Sequence, residues 1–173
     1  MTPTLRTERL RLEPYRPTDE DDFVALFQDV RVARWMGDGL VQSEAEDRAL
    51  FGRIFSKVYA GQLFDVWAVR EEGRFVGHAE LKPTPAVAGG QELVYALSPD
   101  VWGRGLGTEL ANAVVDHGFA ALGLAEVYAT VAAPNRASLA LLAGIGFVHL
   151  RDIEEEDGST TRLLARSPAR TGA

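Results

Sequence analysis

Three glycines at alternate positions, Gly103, Gly105 and Gly107, stand between a predicted strand and a predicted helix. Glycine has no Cβ, so the backbone can approach a ligand closely at these positions. The first amide groups of a helix have no partner inside the helix and lie at its positive end. A glycine turn before a helix is therefore suited to binding a phosphate group through main-chain N–H groups.

The spacing of these glycines excludes two common phosphate-binding sequences. A Walker loop has lysine before its serine or threonine, whereas Thr108 follows Gly107. A dinucleotide fingerprint that began at Gly103 and Gly105 would need glycine at position 108 as well. From the turn alone, a glycine-rich helix start that binds no ligand is an alternative interpretation.

His78 and Glu80 are two positions apart on a predicted strand and therefore share one of its faces. That face either lines a substrate pocket or carries a plain surface pair. His117 lies on an apolar helix and is predicted to be structural, and His149 lies near a strand end. The three histidines have no paired carboxylate spacing, so no metal site is predicted.

Composition and charge exclude several further classes of function. The sequence has no cysteine, which excludes thiol nucleophiles, cysteine-ligated zinc and disulfides. Its 25 acidic and 18 basic residues give a net charge of −7, which argues against nucleic-acid binding through phosphates. No apolar stretch approaches the roughly 18 residues of a membrane span, and no signal region follows the N-terminus. We therefore expect a soluble, whole, cytoplasmic protein that binds neither nucleic acid nor membranes.

The apolar periodicity predicts the element order β-α-α-β-β-β-α-β-α-β-β, which favours a mixed sheet with helices on its faces. The predicted strands cover 5–14, 63–69, 75–81, 92–97, 126–131, 147–150 and 160–165. Helices are predicted after Thr18, after the capping box of Ser43 and Glu46, after the glycine turn, and after Asn135. The length predicts a single domain over 1–166, and the polar segment 167–173 is predicted to be a disordered tail.

The segment Trp102-Gly-Arg-Gly105-Leu-Gly107 resembles the Gln/Arg-x-x-Gly-x-Gly/Ala signature of the GNAT superfamily of acyl-CoA N-acetyltransferases. Tryptophan at its first position is typical of the branch that resembles ribosomal-protein N-terminal acetyltransferases. Thr7-Glu-Arg-Leu-Arg-Leu12 resembles the first strand of that branch, and Asn135-Arg-Ala-Ser138 followed by Gly146-Phe147 resembles its late motif. The resemblance covers about residues 5–166. It implies an α/β fold whose mostly antiparallel sheet splays between two central parallel strands, 92–97 and 126–131.

The resemblance also implies that acetyl-coenzyme A is the co-substrate and that no metal takes part. The amides of residues 103–108 would hold its diphosphate, and the strand edge at 97–99 would pair with the pantetheine arm. Donors near Leu97 would act as an oxyanion hole. The predicted cofactor-binding residues are Leu97, Ser98, Pro99, Trp102, Gly103, Arg104, Gly105, Leu106, Gly107, Thr108, Asn135 and Ser138.

A base is useful because the attacking amine must be neutral. At pH 7 roughly 10% of an α-amino group is neutral, against about 0.04% of a lysine side chain. The resemblance assigns Glu92 as candidate general base acting through water, with a solvated strand-end carboxylate as the alternative. It assigns Ser138 to the leaving thiol, with a first-turn residue capped by Asn135 as the alternative.

The acceptor side of the site is predicted to include Trp35, Met36, His78 and Glu80, with core packing of the first two as an alternative. Tyr95 is predicted to be core or cleft wall. We expect acetyl transfer to a primary amine, in a protein N-terminus or a small molecule, by direct attack in a ternary complex. A non-catalytic coenzyme A-binding regulatory module is the alternative. The chain is expected to be a monomer or a homodimer.

Overall fold

The computed structural model describes residues 1–169. Residues 167–169 have no regular secondary structure, and the rest of the predicted tail, 170–173, lies outside the described residues. The strands are β1 Leu5–Arg6, β2 Leu10–Glu13, β3 Asp65–Glu71, β4 Arg74–Pro83, β5 Gln91–Leu97, β6 Val127–Ala132, β7 Val148–Glu154 and β8 Thr160–Arg166. The helices are α1 Glu20–Gln28, α2 Val30–Ala33, α3 Glu44–Arg53, α4 Leu106–Ala120 and α5 Arg136–Gly144.

Shorter helical pieces complete the chain. A π-helical segment, Ile54–Tyr59, continues α3, and 3-10 turns cover Pro17–Asp19 and Pro99–Val101. No helix in residues 1–169 is long and apolar enough to cross a bilayer.

The strands form one mixed sheet in the order β1-β2-β3-β4-β5-β6-β8-β7. Neighbouring strands are antiparallel except β5 and β6, which are parallel. The predicted sheet, mostly antiparallel with a central parallel pair, is therefore confirmed. Helices α4 and α5 pack on one face, and α1 and α3 pack on the other.

Two details of the prediction are wrong. The first strand is split into β1 and β2, because Thr7 accepts a hydrogen bond from the Leu10 amide (2.9 Å) and turns the chain back on itself. The apolar spacing of Phe23, Leu26, Phe27 and Val30 predicts a helix after Thr18 that includes Val30, but α1 ends at Gln28, and Val30 is 63% exposed and begins α2. The break occurs at Asp29, whose side chain accepts from the Arg31 amide and caps the new helix.

The parallel pair opens along its length. β5 and β6 share a single residue pair in register, Glu92 with Tyr128, whereas β4 and β5 stay paired from Gly77–Leu97 to Pro83–Gln91. The Ser98 amide donates to the Val76 carbonyl (2.8 Å). Because bonded and non-bonded pairs alternate in an antiparallel ladder, the backbone groups of Tyr95 and Leu97 point away from β4 and towards the opening.

Candidate active site

A cavity of about 1190 Å³ occupies the opening between β5 and β6. Side chains from both faces of the sheet line it, because the missing ladder leaves a passage through the sheet. Most of the predicted site residues lie on its wall. The exceptions are Ser98, Pro99 and Arg104, which are not among the lining residues.

The glycine turn forms one end of this cavity. Gly103 and Gly105 have φ angles of +75° and +77°, a left-handed backbone that favours glycine. Gly107 serves packing instead, since a Cβ there would come within 2.8 Å of Leu141. In the described chain, none of the six amides of residues 103–108 donates to a protein acceptor. They are therefore free to bind an anion, and they fit the predicted diphosphate.

Arg9 holds the glycine turn from the β1–β2 hairpin. Its guanidinium donates to the Arg104 carbonyl (2.8 Å) and to the Glu109 carboxylate (3.0 Å). The side chain of Arg104 pairs with Glu71 (2.6 Å), on the β3 side of the turn. These ion pairs anchor both flanks of the turn, and only the backbone of Arg104 is left for the role predicted for it.

Glu92 lies at the start of β5 and is only 6% exposed. One carboxylate oxygen accepts a hydrogen bond from the Thr130 hydroxyl of β6 (3.0 Å). The alternative of a solvated strand-end carboxylate is therefore wrong. Burial occurs because Glu92 sits at the one point where β5 and β6 meet, beneath the opening.

Tyr95 and Ser138 share a hydrogen bond of 2.8 Å on the α5 side of the cavity. Burial raises the pKa of the Tyr95 phenol, and the bond with Ser138 lowers it by less. Tyr95 is therefore a protonated donor at neutral pH. The sequence analysis placed Tyr95 only in the core or cleft wall. The signal that could have revealed its role is its position two residues before Leu97 on the same strand, because residues two apart share a face and Glu92 lies on the other.

Asn135 caps α5, as predicted, since its side chain accepts from the Ser138 amide (3.3 Å). It also lines the cavity beside Ser138. The cap fixes the first turn of α5 and with it the direction of the Ser138 hydroxyl.

His78 and Glu80 form part of a buried chain of hydrogen bonds, so the surface-pair interpretation is wrong. His78 is 3% exposed; its Nδ1 shares a bond with the Tyr15 hydroxyl (2.7 Å) and its Nε2 lies 2.8 Å from Glu80. Burial by itself raises the pKa of Glu80, but the hydrogen bond and charge of His78, with those of Lys82, lower it to about 2. Glu80 is therefore a carboxylate on the cavity wall.

Trp35 and Met36 also line the cavity, from the loop after α2. The Arg34 guanidinium stacks 4.5 Å over the Trp35 ring, and Met36 packs on Leu26, Val32 and Ala96. Both side chains therefore combine packing with cavity lining.

The other histidines lie outside the cavity. His117, as predicted, is structural: it bonds Asp65 (2.9 Å) and packs edge-on against Trp67. His149 is exposed beside Asp152. In residues 1–169 there is no group of three or more His, Asp or Glu side chains arranged to hold a metal ion.

Comparison with known proteins agrees with this fold. Residues 9–148 match the family model described as the acetyltransferase (GNAT) domain. The chain therefore belongs to the GNAT family, and it is an acyl-CoA-dependent acetyltransferase. The GNAT resemblance carried by the three sequence motifs is thus confirmed.

A curated relative has the same kind of activity in its name, and solved structures share the fold. The chain is 31% identical over 155 residues to the FsC-acetyl coenzyme A-N(2)-transacetylase of Aspergillus fumigatus; the match covers 86% of this chain and 66% of that relative. A GNAT-family acetyltransferase from Bacillus anthracis superposes with a TM-score of 0.81 at 19% identity, over 95% of this chain and 98% of that one. The ribosomal L7/L12 alpha-N-protein acetyltransferase RimL, solved with coenzyme A, superposes with a TM-score of 0.79 at 14% identity, over 95% of this chain and 98% of that one. These two likenesses establish the fold.

Proposed function

We propose that this protein moves an acetyl group from acetyl-coenzyme A to a primary amine by direct attack in a ternary complex. The observation that carries the proposal is that one cavity is lined both by the glycine turn, whose amides are free, and by the buried Glu92. The amides suit a diphosphate, and the carboxylate suits proton removal from an amine. With no cysteine in the sequence, the protein has no thiol that could carry the acetyl group.

The cofactor end of the cavity supports the predicted binding of coenzyme A. Its diphosphate would bind the amides of residues 103–108 at the positive end of α4. The pantetheine arm would follow the open edge of β5, where the Leu97 amide faces the opening. The Leu97 carbonyl already accepts from the Trp102 indole (2.8 Å), so Trp102 borders this edge. Asn135, at the start of α5, lies on the opposite wall.

The chemistry requires one proton to leave the amine and another to reach the sulfur. As the nitrogen attacks the thioester carbonyl carbon, Glu92 would accept the amine proton, directly or through a water. The C–N bond forms, the C–S bond breaks, and the departing thiolate takes a proton from the Tyr95 phenol, with Ser138 beside it. The amides of Tyr95 and Leu97 are the donors available to the developing oxyanion.

The acceptor would enter from the face that carries α1 and α3. Trp35, Met36, His78 and Glu80 line the cavity there, which supports their predicted contact with it. Both kinds of acceptor predicted from the sequence, a protein N-terminus and a small amine, are compatible with a cavity that is open to solvent. The single domain over 1–166, the cytoplasmic location and the monomeric or homodimeric state stay predictions.

The test is an acetylation assay with purified protein, acetyl-coenzyme A and a panel of peptides and small amines. The release of free thiol and the mass of the product are measured. Glu92→Gln should lower kcat about tenfold or more, while coenzyme A binds with unchanged affinity. Thr130→Val, which removes only the hydroxyl beside Glu92, is the matched control and should keep most of the activity. If the wild type binds coenzyme A but acetylates no amine, the protein is instead a coenzyme A-binding module.

A further inference from the structure

Asp47 is a buried acid that the proposed chemistry does not use. It lies on α3, is 3% exposed, and lines the cavity. Its one side-chain hydrogen bond within residues 1–169 is accepted by Oδ2 from the neutral amide of Gln28 (2.7 Å). No arginine, lysine or histidine of the described chain forms a salt bridge with Asp47.

Glu92 likewise accepts its side-chain hydrogen bond from a neutral group, the Thr130 hydroxyl, and forms no salt bridge within residues 1–169. Its register partner on β4, Lys82, pairs with Glu80 instead. Glu80 differs, because it has a cationic partner, Lys82 (3.4 Å), and its other oxygen bonds the His78 ring. A buried carboxylate without a cationic partner is costly, so such groups are usually paired.

Each of these two acids keeps one oxygen for the cavity. Neither Asp47 Oδ1 nor Glu92 Oε1 receives a hydrogen bond from residues 1–169, and no fully buried side-chain polar atom there lacks a partner. Each oxygen therefore keeps a small accessible area, although both side chains are buried, and both residues line the same cavity.

The cavity wall as a whole carries an excess of negative charge. Its carboxylates are Asp38, Asp47, Glu80, Glu92 and Glu155, and its cationic side chains are Arg31, Lys82 and Arg151. Arg31 pairs with Asp29 (2.7 Å), Lys82 pairs with Glu80, and Arg151 donates to the Ala86 carbonyl. The uncompensated charge on the wall is negative.

Apolar side chains accompany the two acids. Asp47, Leu50 and Ile54 are spaced i, i+3 and i+7, so they form one stripe along α3 and its π-helical extension. Phe23 and Phe27 of α1 line the cavity beside this stripe. An alkyl chain fits such a wall, and a cation at each end fits the two carboxylates.

We infer that the acceptor is an alkyl diamine or polyamine, with the reacting amine at Glu92 and a second ammonium group held by Asp47. The inference rests on the proposed function and names its substrate class. A plain structural role of Asp47, tying α3 to Gln28, is the competing explanation.

The experiment compares straight-chain α,ω-diamines with n-alkylamines of the same carbon number, using the full chain and acetyl-coenzyme A. Since a charged hydrogen bond is gained, the wild type should prefer the best diamine by about tenfold or more in kcat/KM. Asp47→Asn keeps an acceptor for Gln28. It should remove most of this preference by raising the KM for the diamine, and it should leave kcat/KM for the monoamine within about twofold of wild type. Asp22→Asn, an exposed acid outside the cavity, should leave the preference unchanged.

Two results would overturn the inference. If wild type acetylates monoamines as well as diamines, the second cation site is wrong although the proposed function stands. If coenzyme A binds and no amine of either series or of the wider panel is acetylated, the proposed function fails as well. Should Asp47→Asn not fold, as judged by thermal unfolding, the wild-type comparison and Asp47→Glu still decide the question.

Discussion

Glu92 and Tyr95 are three positions apart on β5 and extend to opposite faces of the sheet, yet both line one cavity. This arrangement exists because β6 leaves β5 after a single residue pair. In the proposed reaction, the amine would therefore meet its base, Glu92, on one face of the sheet, and the thiolate would meet the Tyr95 phenol on the other.

Tyr95→Phe should lower kcat about a hundredfold, because the variant loses a buried, protonated phenol that would supply the proton to the thiolate. The substitution also removes the bond to Ser138 but keeps the ring, so thermal stability should change little. Steady-state kcat and KM for both substrates check this. Tyr128→Phe removes a hydroxyl that bonds Glu126 and should keep wild-type kcat; an unchanged kcat in Tyr95→Phe would exclude the phenol as the proton donor.

Gly105→Ala should weaken coenzyme A binding. Its φ of +77° costs an L-residue about 1–2 kcal/mol, so the turn would shift and its amides would lose their common direction. Calorimetric titration with coenzyme A measures the change. Gly73→Ala is the matched control, because Gly73 has a φ of +79° in a hairpin outside the cavity. It should destabilise the fold by a similar amount and leave coenzyme A affinity as it is.

Arg9→Gln should raise the KM for acetyl-coenzyme A several-fold and lower stability by about 1 kcal/mol or less, since the Arg9 side chain of the Arg9–Glu109 pair is 40% exposed. The expected effect on binding comes from the lost bond to the Arg104 carbonyl, which holds the turn. Arg48→Gln removes another partly exposed ion-paired arginine, on α3, and should not change the KM. Equal KM values in both variants would show that Arg9 does not support the turn.

Glu80 should make stability depend on pH under acid conditions. Its pKa falls from 4.5 to about 2 on folding, so its contribution is present above the unfolded value and is lost as the pH drops through the folded value. The loss between about pH 5 and pH 2 is on the order of 3 kcal/mol. Urea unfolding over this range should show the gap between wild type and Glu80→Gln shrinking as the pH falls. Glu44→Gln, at an exposed position, gives the reference, and a constant gap for Glu80→Gln would contradict the assignment.

The local features of this protein could be predicted from the sequence because each depends on a few neighbouring residues. The capping box of Ser43 and Glu46 and the Asn135 cap formed as expected, and the glycine turn precedes α4 as predicted. The alternation of β5 placed Glu92 and Tyr95 on opposite faces without any tertiary information. The predicted parallel pair followed from the resemblance carried by three short motifs.

Tertiary structure decided which of these residues meet. Arg9 bonds Glu109 across 100 positions, and Tyr15 reaches His78 across 63, so neither pair leaves a trace in local spacing. Burial of Glu92 and Asp47 likewise depends on where strands and helices from distant segments pack. Local backbone rules act over a few residues, whereas charge compensation and enclosure depend on the order of the strands in the sheet. For this reason the sequence alone predicted the glycine turn and, through the family resemblance, the candidate base, whereas the fold decided the positions of the Tyr95 phenol, of Arg9 and of the buried acid Asp47.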